Sequence, residues 1–326
     1  MKVVNYAAWI PSHGAQLEVA DAPFPADIAD DEVVIKNKAV AVNPVDWKIQ
    51  SAPEPIFDIK YPYILGSDVA GEVVGAGAAV RHLKKGDRVI GHALGPHVRR
   101  RPAVTVARIP ETIPFEQAVV LPLSVSTAAA GLYLKDTLGL QVPSPPSNGA
   151  GTGLEKQTKK KETLLLWGGS SSVGSSVVQL AVASGYDVVA TASPANYGYV
   201  KSLGATYVLD YHNPDIIPIL TGLLRAAAVV GALGGGRVAS VGAAPEDAGG
   251  KGKGVAVVRI GAANLVAREP EVAQAIWGEY VPAALEAGTL VPRPRELVVG
   301  RGLYFVQSGL DTNKAGVSAA KVVITL

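Results

Sequence analysis

A short apolar run, a turn of small residues and a second apolar run follow one another directly, and this succession most constrains the fold. Leu164-Leu-Leu-Trp167 is typical of a buried strand, Gly168 to Ser172 contains only Gly and Ser, and Val177 to Ser184 is typical of a helix. Small residues in such a turn let a pyrophosphate approach backbone N–H groups at the helix N-terminus. The motif here is Gly169-x-Ser171-x-x-Gly174, which has serine in place of the middle glycine of the dinucleotide-binding motif G-x-G-x-x-G. An ordinary strand-turn-helix unit without a cofactor therefore stays an alternative.

A change in the predicted secondary structure near this segment indicates two domains. Before it, short β-rich runs are separated by Gly and Pro, and after it strands alternate with helices, as in a parallel sheet. The 326 residues also exceed the roughly 250 to 300 at which a single core stops growing. We predict a β-rich domain of residues 1–123 and 291–326 and an α/β domain of residues 124–290. The Pro-, Gly- and Lys-rich residues 142–161 are predicted to form a flexible loop.

Composition excludes several classes of function. The chain has no cysteine, which rules out disulfides, thiolate catalysis and zinc sites with a Cys ligand. Its five histidines show no metal-binding or catalytic-triad spacing, so we assign no metal site. A formal net charge of +2 predicts no nucleic-acid partner. Without a signal pattern or an uninterrupted apolar run of about 18 residues, we expect a cytoplasmic protein that does not enter a membrane.

The strand after the glycine-rich turn indicates which nicotinamide cofactor fits. It ends in Thr191-Ala-Ser-Pro-Ala-Asn196, without the Asp or Glu that binds the ribose 2′-hydroxyl in NAD sites. Ser193 and Asn196 can donate hydrogen bonds to a 2′-phosphate, and Lys201 can supply positive charge. The sequence therefore favours NADP over NAD. Ser193-Pro194 also fits a helix cap, and Lys201 also fits an ordinary surface lysine.

Short motifs spread over nearly the whole chain together resemble those of a known protein family. They are Asn43-Pro-Val-Asp-Trp-Lys48, Gly66-Ser-Asp-Val-Ala-Gly-Glu-Val73, Lys85-Gly-Asp-Arg-Val89, Gly168 to Gly174, Ser193-Pro-Ala-Asn196, Lys201-Ser-Leu-Gly-Ala205, Asp210-Tyr211 and Val317-Ser318. Together they resemble the zinc-independent branch of the medium-chain dehydrogenase/reductase family, which includes quinone oxidoreductases and the trans-acting enoyl reductases of fungal polyketide pathways. The resemblance implies an α/β fold, with a GroES-like β-rich substrate domain and a Rossmann domain whose doubly wound parallel sheet binds NADP.

The resemblance also implies a reaction. In zinc-using relatives, a Cys and a His that hold the metal fall where this chain has Asn43 and Ser67, neither of which is a good zinc ligand. NADPH would then reduce an enone, an enoyl thioester or a quinone, with charge delocalised onto oxygen. Asn43 and Lys48 are the candidate catalytic residues, as hydrogen-bond donors to the developing enolate. The proton could come from Tyr6, Tyr61 or Tyr63, or from solvent.

By the same resemblance, five groups of residues contact the cofactor. They are Val45, Asp46, Trp47 and Lys48 at the nicotinamide; Ser170, Ser171, Ser172, Val173 and Gly174 at the pyrophosphate; Ser193, Pro194, Ala195, Asn196 and Lys201 at the 2′-phosphate; Tyr211 at the ribose or adenine; and Val317 and Ser318 at the closing edge. A structural salt bridge between Asp46 and Lys48 is the alternative for that pair. We expect Gly174→Asp to abolish cofactor binding and leave the protein folded. A polyketide synthase is a possible partner by resemblance, and the protein could be a monomer or a homodimer.

Two stretches are shorter than the family pattern requires. Residues 95–102 replace a strand of the substrate domain, and residues 211–234 leave room for about one helix where a helix and a further strand are needed. These departures keep a second hypothesis open, in which the chain binds NADPH but has little or no catalytic activity.

Overall fold

A computed structural model describes most of the chain, namely residues 4–25, 27–54, 56–94, 103–146, 162–216, 219, 236–241 and 255–326. The short stretch at 95–102 lies outside the described residues, as do most of the stretch at 211–234 and residues 147–161 of the predicted loop 142–161. The chain divides into two compact units: unit 1 comprises residues 1–123 and 291–326, and unit 2 comprises residues 124–290.

Unit 1 consists mainly of β-strands. Its strands are β1 (Tyr6–Ile10), β2 (Glu18–Asp21), β3 (Val33–Ala41), β4 (Tyr63–Ile64), β5 (Asp68–Ala76), β6 (Arg88–His92), β7 (Val106–Arg108), β13 (Arg295–Arg301) and β14 (Ala320–Thr325). Its helices are α1 (Pro44–Ser51), α2 (Phe115–Ala118) and α9 (Val306–Ala315). The strands form a three-stranded sheet in the order β2-β1-β4 and a six-stranded sheet in the order β13-β14-β3-β5-β6-β7.

Two apolar clusters of described residues lie around the six-stranded sheet. One lies on β3, β5 and β6 and includes Val33, Val69 and Val89. The other joins the end of β3 to α9 and β14 through Val42 and Leu310, together with Val322 and Ile324. Strand β14 is buried at each of its four internal positions, as expected for a strand with neighbours on both sides, and β3 lies between β14 and β5.

Unit 2 contains two parallel sheets within its described residues. Strands β8 (Thr163–Leu166), β9 (Asp187–Ala192) and β10 (Tyr207–Asp210) pair in the order β10-β9-β8, and β11 (Gly236–Ser240) pairs with β12 (Val255–Arg259). Its helices are α3 (Pro122–Tyr133), which starts in unit 1, α4 (Ser172–Ala183), α5 (Tyr197–Ser202), α6 (Asn264–Arg268), α7 (Pro270–Ala273) and α8 (Val281–Glu286), with a π-helix at Gln274–Tyr280. Buried residues of α4, β9 and α5 form one core. The predicted alternation of parallel strands and helices is confirmed.

One helical segment among the described residues is long and apolar enough to cross a membrane, by length and composition only. It is Phe115–Tyr133, which includes α2 and α3 and has a mean hydropathy of 1.3. Within it, 78% of the residues in the most apolar window are buried inside the protein. Core helices of globular proteins have the same properties, so this segment is weak support for a membrane span.

Candidate functional site

The turn between β8 and α4 is built by Gly168 and Ser171. Gly168 has a φ of +85°, which a residue with a side chain rarely adopts, so the chain reverses direction immediately after the strand. Ser171 is the N-cap of α4: its Oγ accepts the N–H of Gly174 at 3.0 Å and donates to the carbonyl of Gly168 at 2.9 Å. Serine at the position of the usual middle glycine therefore has a structural reason, since it caps the helix.

Gly174 packs the first turn of α4 against the glycine-rich turn. A Cβ atom added to Gly174 would lie 2.2 Å from the carbonyl oxygen of Gly168 and 2.9 Å from the Cα of Gly169. No side chain fits there unless the backbone moves. We therefore expect Gly174→Asp to destabilise the protein through its Cβ alone, in addition to any effect on cofactor binding.

The N-terminus of α4 is suited to an anion. Helix α4 has 12 residues, and its first turn contains no acidic side chain that would compete with a phosphate. Ser170, Ser172 and Val173 are partly exposed, and a Cβ added to Gly168 would meet open space. The Ser172 Oγ is buried and has no hydrogen-bond partner among the described residues. A cofactor pyrophosphate would satisfy this hydroxyl and the free N–H groups of the first turn.

The carboxyl end of β9 carries the residues predicted to bind the 2′-phosphate. Ser193 stands at the N-cap position of the 3₁₀ turn Pro194–Asn196, but its side chain makes no capping hydrogen bond to the backbone. Its Oγ accepts instead from Asn196 Nδ2 at 3.1 Å. Pro194 and Ala195 are exposed, and Ser193 and Asn196 are partly exposed. Lys201 is exposed in the last turn of α5. The strand end therefore presents hydroxyl and amide groups and no carboxylate.

Aromatic side chains lie at the carboxyl ends of the outer strands β8 and β10. Trp167 follows β8 and Tyr211 follows β10, and their ring centroids are 6.4 Å apart. Tyr211 also lies 4.0 Å from the ring of His212, whose backbone N–H donates to Asp210 Oδ1. Tyr211 was expected from the sequence to contact the cofactor, whereas Trp167 was not. The only sequence signal for Trp167 is its position as a large aromatic residue directly before the glycine-rich turn.

Unit 1 contains a buried polar group, which we call the Asn43 cluster: Asn43, Asp46, Asp68, His92 and Lys321. Asn43 precedes α1, and its backbone N–H donates to Asp46 Oδ2 at 2.7 Å. Its side-chain Nδ2 donates to Asp68 Oδ2 at 2.8 Å, and its Oδ1 accepts from the ammonium of Lys321. Lys321 Nζ also pairs with Asp68 Oδ2 at 2.9 Å.

Burial shifts the pKa values of two members of this cluster. The pKa of the Asp46 carboxyl is raised to about 7, because burial outweighs the opposing effect of the Asn43 N–H. The pKa of the His92 imidazole is lowered to about 4, again chiefly by burial. His92 is therefore neutral near pH 7, and Lys321 is the cation of the cluster.

The other predicted residues of α1 are more exposed than Asp46. Lys48 is exposed, with its Nζ 5.6 Å from the ring centroid of Trp47. The pair Asp46 and Lys48 forms no ion pair, although both residues are described. Trp47 and Val317 pack against the same apolar cluster, whereas Ser318 is exposed. Trp47 of α1 and Val317 therefore lie against one apolar core, and their contact with the cofactor stays a prediction.

Comparisons with known proteins identify the family. Residues 29–104 match the alcohol dehydrogenase GroES-like domain. Dehydrogenase azaJ of Aspergillus niger is 37% identical over 356 residues, with 99% of each chain covered. The trans-enoyl reductase himH of Aspergillus japonicus is 38% identical over 352 residues, covering 99% of this chain and 98% of that protein. The chain belongs to the medium-chain dehydrogenase/reductase family. Its resemblance to the enoyl and quinone reductase type is confirmed.

A solved structure shows the same fold. The quinone oxidoreductase of Pseudomonas syringae pv. Tomato is 21% identical, with a TM-score of 0.70, and the match covers 99% of this chain and 100% of that one. The predicted combination of a GroES-like domain and a Rossmann domain is therefore confirmed. As a medium-chain dehydrogenase/reductase, the protein is an oxidoreductase that uses a nicotinamide cofactor and a small-molecule substrate.

Proposed function

We propose that the protein is an NADPH-dependent reductase of an activated double bond, in an enone or an enoyl thioester, or of a quinone, and that it works without zinc. Residues 1–123 and 291–326 form its substrate domain, and residues 124–290 form its cofactor domain. The observation that carries the proposal is the contact between the Lys321 ammonium and the Asn43 carboxamide oxygen.

That contact argues against a metal ion at this position. Zinc-using relatives hold their metal with a Cys and a His where this chain has Asn43 and Ser67. The Asn43 oxygen already accepts a hydrogen bond from a buried cation, and a zinc ion there would be repelled by the charge of Lys321. Among the described residues, no group of three or more Asp, Glu or His side chains could hold a metal.

A reaction without a Lewis acid favours a conjugated acceptor. NADPH, when bound, supplies the hydride, and a conjugated carbonyl or a quinone takes up the charge on its own oxygen. Asn43 Nδ2 uses one hydrogen for Asp68, and its second hydrogen has no partner among the described residues. This N–H and the exposed ammonium of Lys48 are the donors we assign to the developing oxyanion.

We assign NADP and not NAD to the cofactor domain because the end of β9 carries no carboxylate. Ser193 and Asn196 bind the 2′-phosphate, and Lys201 contributes its charge. The pyrophosphate lies on Ser170, Ser171, Ser172, Val173 and Gly174, and the ribose or adenine on Tyr211. The nicotinamide lies against Val45, Asp46, Trp47 and Lys48, and Val317 and Ser318 close the site.

The names of the relatives agree with this substrate class, since himH is called a trans-enoyl reductase. We extend the proposal to an enoyl thioester made by a polyketide synthase, and to a cytoplasmic protein that is a monomer or a homodimer.

Three measurements test the proposal on the full-length protein. Fluorescence titration is expected to show tighter binding of NADPH than of NADH. NADPH consumption with a small enone, a quinone and an enoyl thioester is expected to show turnover with at least one acceptor. Metal analysis is expected to find no stoichiometric zinc, and stoichiometric zinc would contradict the assignment. Binding without turnover would support the alternative, a cofactor-binding protein without catalysis.

A further inference from the structure

Strand β14 carries a charged residue where its neighbours are apolar. Its buried stretch reads Lys321-Val-Val-Ile324, and the Lys321 side chain is only 3% exposed. Burial of an ammonium group is costly unless it is paired and hydrogen-bonded. A lysine at this position therefore calls for an explanation in what it contacts.

The contacts of Lys321 fix the orientation of the Asn43 carboxamide. Asn43 places its oxygen against the ammonium, which can only donate, and its Nδ2 against the carboxylate of Asp68, which can only accept. A flipped amide would place N–H groups against Lys321 and an oxygen against Asp68, so two attractive contacts would become repulsive. The pair therefore allows one of the two amide orientations.

Asp68 is itself fixed from another side. Its Oδ1 accepts the backbone N–H of Leu123, in the first turn of α3, at 2.7 Å. Its Oδ2 is left for Lys321 and Asn43. The position of the Asp68 carboxylate is fixed by β5 and by the start of α3. The carboxylate in turn fixes the position of the Lys321 ammonium, and the two groups together fix the orientation of the Asn43 amide.

We propose that Lys321 is a positioning residue, which keeps the Asn43 amide turned so that a hydrogen of Nδ2, and not the oxygen, is available to the substrate oxygen. This inference rests on the proposed function, because it needs Asn43 to act as a donor. The charged and titratable groups around Lys321 are Asp46, Asp68 and His92. A simpler role, neutralisation of Asp68 alone, is the alternative that the experiment must exclude.

The experiment uses four full-length variants. Lys321→Met removes the cation, and Lys321→Arg keeps a cation. Lys321→Met combined with Asp68→Asn removes both charges, so that no carboxylate is left buried and unpaired. Lys38→Met is the matched control, because Lys38 pairs with Glu72 in the same sheet but at the surface.

We expect Lys321→Met to lower kcat at least tenfold with NADPH affinity within about twofold of wild type, and Lys321→Arg to regain part of that loss. The double variant should recover its melting temperature but not its kcat, and the control should match wild type. A double variant whose kcat recovers with its stability would overturn the proposal, since neutralisation of Asp68 would then be the whole role of Lys321.

A second readout does not depend on turnover. The side-chain amide signals of Asn43 are assigned in the ¹⁵N spectrum by their loss in Asn43→Ser, and their hydrogen exchange is measured. Exchange should be slow in wild type and in Lys38→Met, and at least tenfold faster in Lys321→Met, which retains the Asp68 carboxylate that accepts from Nδ2. Equal exchange in wild type and Lys321→Met would overturn the proposal. If wild type binds NADPH but reduces no acceptor, the proposed function fails, while the exchange rates still decide whether Lys321 orients Asn43.

Discussion

The Nζ of Lys321 lies 2.9 Å from Oδ2 of Asp68, and the two side chains are 3% and 0% exposed. They belong to β14 and β5, which are not neighbours in the sheet, because β3 lies between them. The pair therefore spans the end of β3, where Asn43 leads into α1. A buried ion pair of this kind fixes the local structure only while both partners are present.

Removal of one partner should be costly. Lys321→Met leaves the Asp68 carboxylate without its cation, and loss of one partner of a buried pair costs about 3 to 5 kcal/mol of unfolding free energy. Urea denaturation measures this loss. The surface pair of Lys38 and Glu72, 3.6 Å apart, is worth no more than about 1 kcal/mol, so Lys38→Met should have little effect. Equal losses in the two variants would contradict the assignment of a buried pair.

The same cluster predicts how stability varies with pH. Asp46 has its pKa raised from 3.8 to about 7, so the folded state binds an extra proton between these values and stability is lost as pH rises through 7. His92 has its pKa lowered from 6.5 to about 4, so the stability it contributes above 6.5 is lost as pH falls through 4. The two effects have opposite signs and partly offset each other between about pH 4 and pH 6.5.

Single substitutions should separate these two effects. As the pH rises from 4 to 7, the free energy of unfolding of Asp46→Asn should increase by up to about 4 kcal/mol relative to that of wild type, because each pKa unit corresponds to about 1.4 kcal/mol. As the pH rises from 4 to 6.5, the free energy of unfolding of His92→Gln should decrease by up to about 3 kcal/mol relative to that of wild type. Denaturation of the three proteins at several pH values measures both differences. Differences of the same sign, or none, would show that one of the groups is not buried as described.

The sequence predicted the parts of the site that are local in the chain. The strand, the turn and the helix after Leu164 lie within one continuous segment, so spacing and residue size were sufficient to predict their order, although the helix begins at Ser172 and not at Val177. The Asn43 cluster was only partly predicted. Asp68 and Lys321 lie in ordinary β-rich runs, and the order β14-β3-β5 that brings them to Asn43 leaves no trace in local spacing. The sequence could also not show that Asp46 is buried while Lys48, two residues later, is exposed.

A side chain at Gly174 should destabilise the protein. In Gly174→Ala the new Cβ would lie 2.2 Å from the carbonyl oxygen of Gly168, and overpacking of this kind costs about 1 to 3 kcal/mol. We expect a lower melting temperature and a loss of NADPH affinity. Gly198→Ala is the matched control, because Gly198 lies in α5 with no atom within 4 Å of the added Cβ. It should be neutral or stabilise by up to about 1 kcal/mol. If both variants melt alike, Gly174 does not pack as described.

Ser193→Asp should weaken NADPH binding more than NADH binding. A carboxylate at the end of β9 would repel the 2′-phosphate of NADPH, whereas it could accept a hydrogen bond from the 2′-hydroxyl of NADH. Fluorescence titration should show the dissociation constant of NADPH rising at least tenfold, with that of NADH unchanged or lowered. Thr206→Asp is the control, because Thr206 is exposed and precedes β10, at the opposite end of these parallel strands. It adds the same charge and should leave the ratio of the two constants unchanged. An equal effect of Ser193→Asp on both cofactors would remove Ser193 from the 2′-phosphate site and leave the choice of NADP without its main support.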